Sequence, residues 1–138
     1  MHMPTQKQII EFYHANTVID FLQVDVVPTP DGQARLELCP DARHANLYSM
    51  AHGGVLTTIA DTAMGAKCLA LNKRVVTISL SIQFMHPIMI GTKIFTDAKV
   101  LHDGNKTMVC ECDILDHNRT LYAKANATFF VTGKLLDD

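Results

Sequence analysis

No stretch of this chain approaches the roughly 20 consecutive apolar residues of a membrane-spanning helix. Residues 1–11 are polar and lack the apolar centre of a secretory signal, in keeping with the location expected from the cysteines, the cytoplasm or another reducing space. An excess of either charge is also missing: 12 Lys and Arg stand against 14 Asp and Glu, a formal net charge of -2. That balance excludes general binding to nucleic acid or to an anionic membrane, yet leaves the few basic side chains a phosphate-bearing ligand would need. There is no internal repeat and no low-complexity segment, which sets aside a fibre or a disordered polar tail. Cysteine is sparse, and Cys39, Cys68, Cys110 and Cys112 form no Cys-x-x-Cys pair. Cys110 and Cys112 fall on one face of a strand, a poor placement for a mutual disulfide. All four are expected to be reduced and mostly packed inside, as in a reducing compartment.

What is present is 138 residues, 48% of them hydrophobic. That suits one domain over 1–138, able to bury roughly two-thirds of its unfolded surface without metal or disulfide staples. The N-terminal region 1–16 carries an amphipathic helix from Thr5 to His14, with Thr5 as its cap and Ile9, Ile10, Phe12 and Tyr13 as its apolar stripe. Val18–Val27, rich in β-branched residues, reads as a strand, and 28–32 as a turn. Gln33–Cys39 alternates with Ala34, Leu36 and Leu38 on one face. Residues 40–51 have no clean period and read as a loop. Residues 53–71 form the one long helical pattern, with a narrow face rich in Ala and Gly. Four alternating segments follow, around 76–84, 94–102, 108–114 and 121–131, joined by short turns that imply antiparallel neighbours. Strands segregated from a single long helix indicate an α+β fold, in which a curved antiparallel sheet wraps the central helix. The exposed edges and half-buried outer face of such a sheet are expected to be covered by self-association.

One segment stands apart chemically. Asn46-Leu47-Tyr48-Ser49-Met50-Ala51-His52-Gly53-Gly54 leads into the helix that carries Asp61. Glycines where a loop enters a helix allow another backbone or a ligand to come close. The first N–H groups of a helix have no internal partner, and together with the helix dipole they favour a developing oxyanion. Asp61 follows Thr57-Thr58-Ile59-Ala60, and Asp is a poor helix-interior residue. It is either a solvent-facing, hydrogen-bonded structural residue or a nucleophile or general base in a cleft. His52 is either a cap that orients the helix start or an acid/base. His44 and His52 raise a metal site, but no third ligand stands at recognisable spacing, so none is expected.

These residues resemble the hotdog-fold acyl-CoA thioesterases, in the PaaI-type and 4-hydroxybenzoyl-CoA thioesterase-like branch. The shared pattern is an Asn, His-Gly-Gly beginning six residues on, and an Asp nine residues after that His: Asn46, His52-Gly53-Gly54 and Asp61. The run 60–65, the strand ending Phe84-Met85-His86-Pro87, and the turn Gly104-Asn105-Lys106 also look typical. The resemblance spans about 18–131. It implies hydrolysis of an aryl or medium-chain acyl-CoA thioester to free acid and CoA, with CoA as part of the substrate and no separate cofactor. Asp61 would be the nucleophile or general base and the Gly53 N–H the oxyanion donor. Asn46 and His52 would position the carbonyl or water, and Thr77 would assist the water. The resemblance also implies a homodimer, or a dimer of dimers, with each active site shared between subunits. Gly54, Asn105, Lys106 and Met64 are the candidates for contacting substrate, Lys106 being favoured for CoA phosphate. Two competing readings are a hydratase or dehydratase on the same fold, against which the Asp61 spacing argues, and a non-catalytic acyl-thioester-binding module, which has no evident use for Asp61.

Overall fold

The computed structural model describes residues 3–137. In chain order the elements are α1 (Gln6–Ala15), α2 (Thr17–Phe21), β1 (Asp25–Pro28), β2 (Ala34–Leu38), a 3-10 turn (Ala42–His44), α3 (Gly53–Ala70), β3 (Arg74–Phe84), β4 (Ile94–Asp103), β5 (Thr107–Leu115) and β6 (Leu121–Gly133). The six strands form one sheet in the order β1-β2-β4-β5-β6-β3, and every neighbouring pair is antiparallel.

Helix α3 supplies the centre of the core. Leu56, Ile59, Ala60, Ala63, Met64, Cys68 and Leu69 are buried, and the facing strands contribute Met108, Cys110, Cys112, Ile114, Ala123, Ala125, Ala127 and Phe129. Each large apolar side chain buried here is worth roughly 1.5–3 kcal/mol. The alanines on both surfaces let the helix lie close to the sheet. Helix α1 packs Ile9 and Tyr13 inward and starts at the expected cap Thr5, where the structure adds a capping box: Gln8 N–H on Thr5 Oγ1 and Thr5 N–H on Gln8 Oε1.

One expected element is wrong. Val18–Val27 is not a continuous strand: its first half is α2, and only Asp25–Pro28 pairs with β2. Burial decides the matter. Ile19 is fully buried, which the short helix permits, and Gln23 then turns the chain with a φ of 58°. β propensity is a weak preference that such packing readily overrides. The cysteine expectation holds for three of four, since Cys68, Cys110 and Cys112 are buried and Cys39 is exposed.

The sheet is not uniformly zipped. β2 and β4 share only the register pairs Glu37↔Phe95 and Leu38↔Ile94 before they diverge. At the parting point Thr96, buried, stands in for the ladder: its Oγ1 accepts from Leu36 N–H at 3.1 Å and lies 3.4 Å from Leu36 O. Thr96→Val keeps the shape but strands that buried N–H, and is expected to cost about 1–3 kcal/mol. A thermal melt reads this, and an unchanged midpoint would mean that water replaces the hydroxyl.

At the other end of the sheet, β3 has an open edge. A bulge between Thr77 and Ser79 leaves Ile78 without a register partner. Val76 and Ile78 are exposed, at 55% and 58%.

Candidate active site

The long helix begins where a tightly bonded loop delivers it. His44 is buried, with Nδ1 accepting from Asp41 N–H and Nε2 2.6 Å from Leu22 O. Both ring nitrogens are therefore engaged in holding the loop, which leaves neither for a metal. His52 N–H then bonds to His44 O at 2.7 Å. Asn46 shapes the intervening turn: its Oδ1 accepts from Tyr48 N–H at 2.8 Å and Met50 N–H at 3.1 Å. Ser49, with a φ of 62°, completes that turn. The Asn46 Nδ2 donors make no hydrogen bond among the described residues and remain available.

The first turn of α3 sorts its orphan donors. His52 is the N-cap, and its Nδ1 accepts from Gly54 N–H at 2.9 Å. A neutral His52 therefore carries its proton on Nε2. Val55 and Leu56 donate to His52 O. Gly53 N–H makes no hydrogen bond among the described residues. It is thus the donor left over at the positive end of an 18-residue helix. A Cβ at Gly53 would lie 3.3 Å from Phe84 Cζ, so a side chain there needs that half-exposed ring to shift by a few tenths of an ångström. Gly54, expected to contact substrate, has its N–H bonded to His52 Nδ1, so any such contact would be made by its backbone surface rather than by this donor.

Asp61 lies in the third turn of the same helix, half-buried, and Thr77 Oγ1 donates to its Oδ1 at 2.7 Å. Strand register explains the meeting. Thr77 pairs with buried Phe129, whose side chain faces α3, so Thr77 shares that face. The bond orients the carboxylate and leaves Oδ2 free to act.

These groups line two separate clefts. Asp61 and Thr77 open onto a cleft of about 500 Å³ with Phe12, Asn16, Thr62, Gly65, Leu69, Lys73, Arg74 and Phe129 among its walls. Asn46 and Gly53 open onto another of about 340 Å³, with Met50, Leu56, Phe84, Met85 and His86. Eight residues of helix separate Gly53 from Asp61, a rise of about 12 Å. Within one chain they cannot meet the same carbonyl group, since reacting atoms must come within about 3–3.5 Å.

The remaining candidates divide. Met64 is fully buried and lines neither cleft, because its helical position points into the core; it is corrected to a packing residue. Asn105 lines a neighbouring depression that shares Lys73, Gly133 and Lys134 with the Asp61 cleft. Lys106 is exposed and lines neither; its backbone carbonyl accepts from Val131 N–H. Lys73 is held by Asp103 and by Gly104 O. Sequence reasoning did not find that Phe84 covers Gly53, that His86 shares the Gly53 cleft, or that Phe12 and Asn16 of α1 wall the Asp61 cleft. None of these has a spacing signal, since each depends on which elements pack together. Among the described residues no three His, Cys, Asp or Glu side chains cluster as metal ligands, and no helix is long and apolar enough to cross a membrane.

Comparison with known proteins adds independent information. The family model for the thioesterase superfamily matches residues 48–123, from the loop before α3 into β6. The acyl-coenzyme A thioesterase PaaI of Escherichia coli K12 is 26% identical over 111 residues, covering 80% of this chain and 79% of that protein. The solved structure of the E. coli PaaI protein superimposes with a TM-score of 0.83 at 21% identity, over 95% of this chain and 98% of that one, and shows the shared fold. A Streptococcus mutans protein solved with acetyl-CoA bound superimposes with a TM-score of 0.74 at 29% identity, over 80% of this chain and 90% of that one.

Proposed function

The chain belongs to the thioesterase superfamily, and from that premise we propose that it hydrolyses an aryl or medium-chain acyl-CoA thioester to a free acid and CoA. The observation that carries this reading is one helix with two specialised positions: an N-terminal Gly53 N–H without a partner among the described residues, and a mid-helix carboxylate, Asp61, presented to a cleft by Thr77. The acetyl-CoA bound to the S. mutans relative and the activity named for E. coli PaaI support the substrate class.

The active site is built from two copies of the chain. The roughly 12 Å between Gly53 and Asp61 forbids joint action in one copy, and the open β3 edge, with Val76 and Ile78 exposed, invites strand pairing with a second. Leu47 and Tyr48, 94% and 74% exposed beside Asn46, are covered in the same association. In the assembled site the thioester carbonyl oxygen accepts from Gly53 N–H, and charge that develops there is stabilised by the helix terminus. The Asn46 amide donors lie in the same cleft and orient the carbonyl or the water. Asp61 Oδ2 of the other copy attacks the carbonyl carbon or takes a proton from attacking water, while Thr77 holds Oδ1. Collapse of the tetrahedral adduct breaks the C–S bond and expels CoA as its thiolate, which takes up a proton; where Asp61 itself attacked, water then hydrolyses the acyl–Asp61 anhydride to the free acid and restores the carboxylate. His52 keeps its structural duty as the cap. Aryl or medium-chain groups suit the mixed apolar and polar walls of the Asp61 cleft, where Phe12, Leu69 and Phe129 meet Asn16 and Thr62. The same reaction proceeds in the cytoplasm with water as the only co-substrate.

The test is a thiol-release assay on the purified chain with short, medium, long and aryl acyl-CoAs. Stoichiometric release of CoA and acid from aryl or medium-chain substrates is the expected result. A folded oligomer silent across the panel would overturn the reading in favour of a binding module. Asn46→Ala is expected to lower turnover less than loss of Asp61, by about 10-fold, because Gly53 still polarises the carbonyl. If it lowers the melting temperature instead, Asn46 serves the turn alone.

A further inference from the structure

Two thiols meet in the core at a place the hydrolytic chemistry does not use. Cys68, near the end of α3, and Cys110, within β5, have their Sγ atoms 3.5 Å apart. Both side chains are fully buried. They come from positions 42 residues apart in sequence, so the contact joins the central helix directly to the middle of the sheet. Neither lines the Asp61 cleft or the Gly53 cleft.

The two sulfurs are in van der Waals contact. A disulfide requires about 2.05 Å between sulfurs, so the pair must close by about 1.5 Å. β5 is held on both sides by β4 and β6, so the adjustment falls on side-chain rotation and on the last turns of α3. The electronic setting suits oxidation. Either thiol can donate across the Sγ–Sγ contact, and Cys110 Sγ also reaches Met64 O at 3.8 Å; with Cys68 as the donor, the bond holds the Cys110 thiol below its ordinary pKa. The same bond, with burial second, raises that of Cys68. One proton is thus shared between a nucleophile and a resolving thiol. Access is short as well. Leu69, next to Cys68, and Lys73, just past the helix end, line the open Asp61 cleft, so fraying of the helix end admits a small oxidant.

We propose that Cys68 and Cys110 form an oxidative modification site, in which hydrogen peroxide converts the thiol pair into an intramolecular disulfide that ties the central helix to β5. The Cys110 thiolate attacks one peroxide oxygen, the O–O bond breaks, and hydroxide leaves. Cys110 is then a sulfenic acid. The sulfur of Cys68 displaces the sulfenic oxygen, which departs as water with the Cys68 proton, and the S–S bond forms. The proton that Cys110 gave up neutralises the hydroxide. The two thiols lose two electrons, and peroxide is reduced to two waters.

The experiment uses the full chain carrying Cys39→Ser, which removes the exposed thiol and leaves three buried ones. After peroxide treatment and denaturation, the expected result is a loss of about 2 Da in intact mass before alkylation, and alkylation then labels one thiol where the untreated chain has three. A non-reducing peptide map joins the segments that hold Cys68 and Cys110. The melting temperature rises by roughly 5 °C or more and returns with a thiol reductant. Cys68→Ala and Cys110→Ala each abolish the mass loss. Should either variant fail to fold, the peptide map of the Cys39→Ser chain decides alone. Three thiols persisting through peroxide treatment, or Cys110 recovered as sulfinic acid without a cross-link, would overturn the proposal.

Discussion

Asp61→Ala is expected to lower turnover by about 100-fold or more, the scale of losing a principal catalytic group, while the protein melts no lower than before. The two readouts together separate function from structure. Asp61 makes one side-chain hydrogen bond, from Thr77, and is only half-buried, so removing it leaves no buried group stranded except a hydroxyl that water can reach. Alanine in a helix interior is favoured over Asp by up to about 0.7 kcal/mol, which offsets much of the lost bond. A structural Asp would show the opposite pattern, lower stability with activity intact. Asp61→Asn sharpens the test because it keeps the shape and the Thr77 bond but removes the charge. It is expected to be as inactive as Asp61→Ala, and full turnover in the Asn variant would exclude both the nucleophile and the general-base role. Thr77→Val, which frees the carboxylate to rotate, is expected to cost about 10-fold at unchanged substrate affinity.

The second large effect is predicted for Gly53→Pro, with a fall in turnover of about 100- to 1,000-fold, the loss measured when one oxyanion donor is removed. Proline deletes the N–H and keeps the helix. It is favoured at the first helical position, and His52, with φ -66° and ψ 132°, already has the extended conformation required before proline. The added ring crowds Phe84, which is half exposed and free to move aside. Mixing this variant with Asp61→Ala then tests the shared site. If Gly53 of one copy serves Asp61 of the other, a mixed dimer has one doubly broken site and one intact site. After free subunit exchange about half the dimers are mixed, so activity should recover to about a quarter of wild type from two nearly inactive parents. No recovery, with exchange demonstrated, would place both groups in one chain and defeat the two-copy site.

The elements were legible because their signals are local. Alternation of apolar and polar residues marked β3 to β6, and the loop glycines followed by a narrow Ala-rich stripe marked α3 to within a residue. The spacing from Asn46 through His52 to Asp61 carried the resemblance. What misled was local propensity without burial: the β-branched residues after Val18 suggested a strand, and Ile19 needed the core beneath it to become helical. Met64 misled in another way. Proximity in sequence to Asp61 placed it near the chemistry, but the roughly 60° between the two positions around the helix is enough to leave Met64 fully buried while Asp61 stays half-buried.

The sequence alone determined an α+β chain with one glycine-entered helix and an acidic residue in its third turn, because periodicity, capping and helix-breaking act within a few residues. Tertiary structure decided the rest. It settled that His52 caps Gly54 and leaves Gly53 N–H unbonded, since hydrogen-bond partners depend on how the loop is held by His44. The register of β3 on β6 brought Thr77 to Asp61. Finally, a rigid helix keeps Gly53 and Asp61 in different clefts, because a rise of about 1.5 Å per residue fixes their separation whatever chemistry they share.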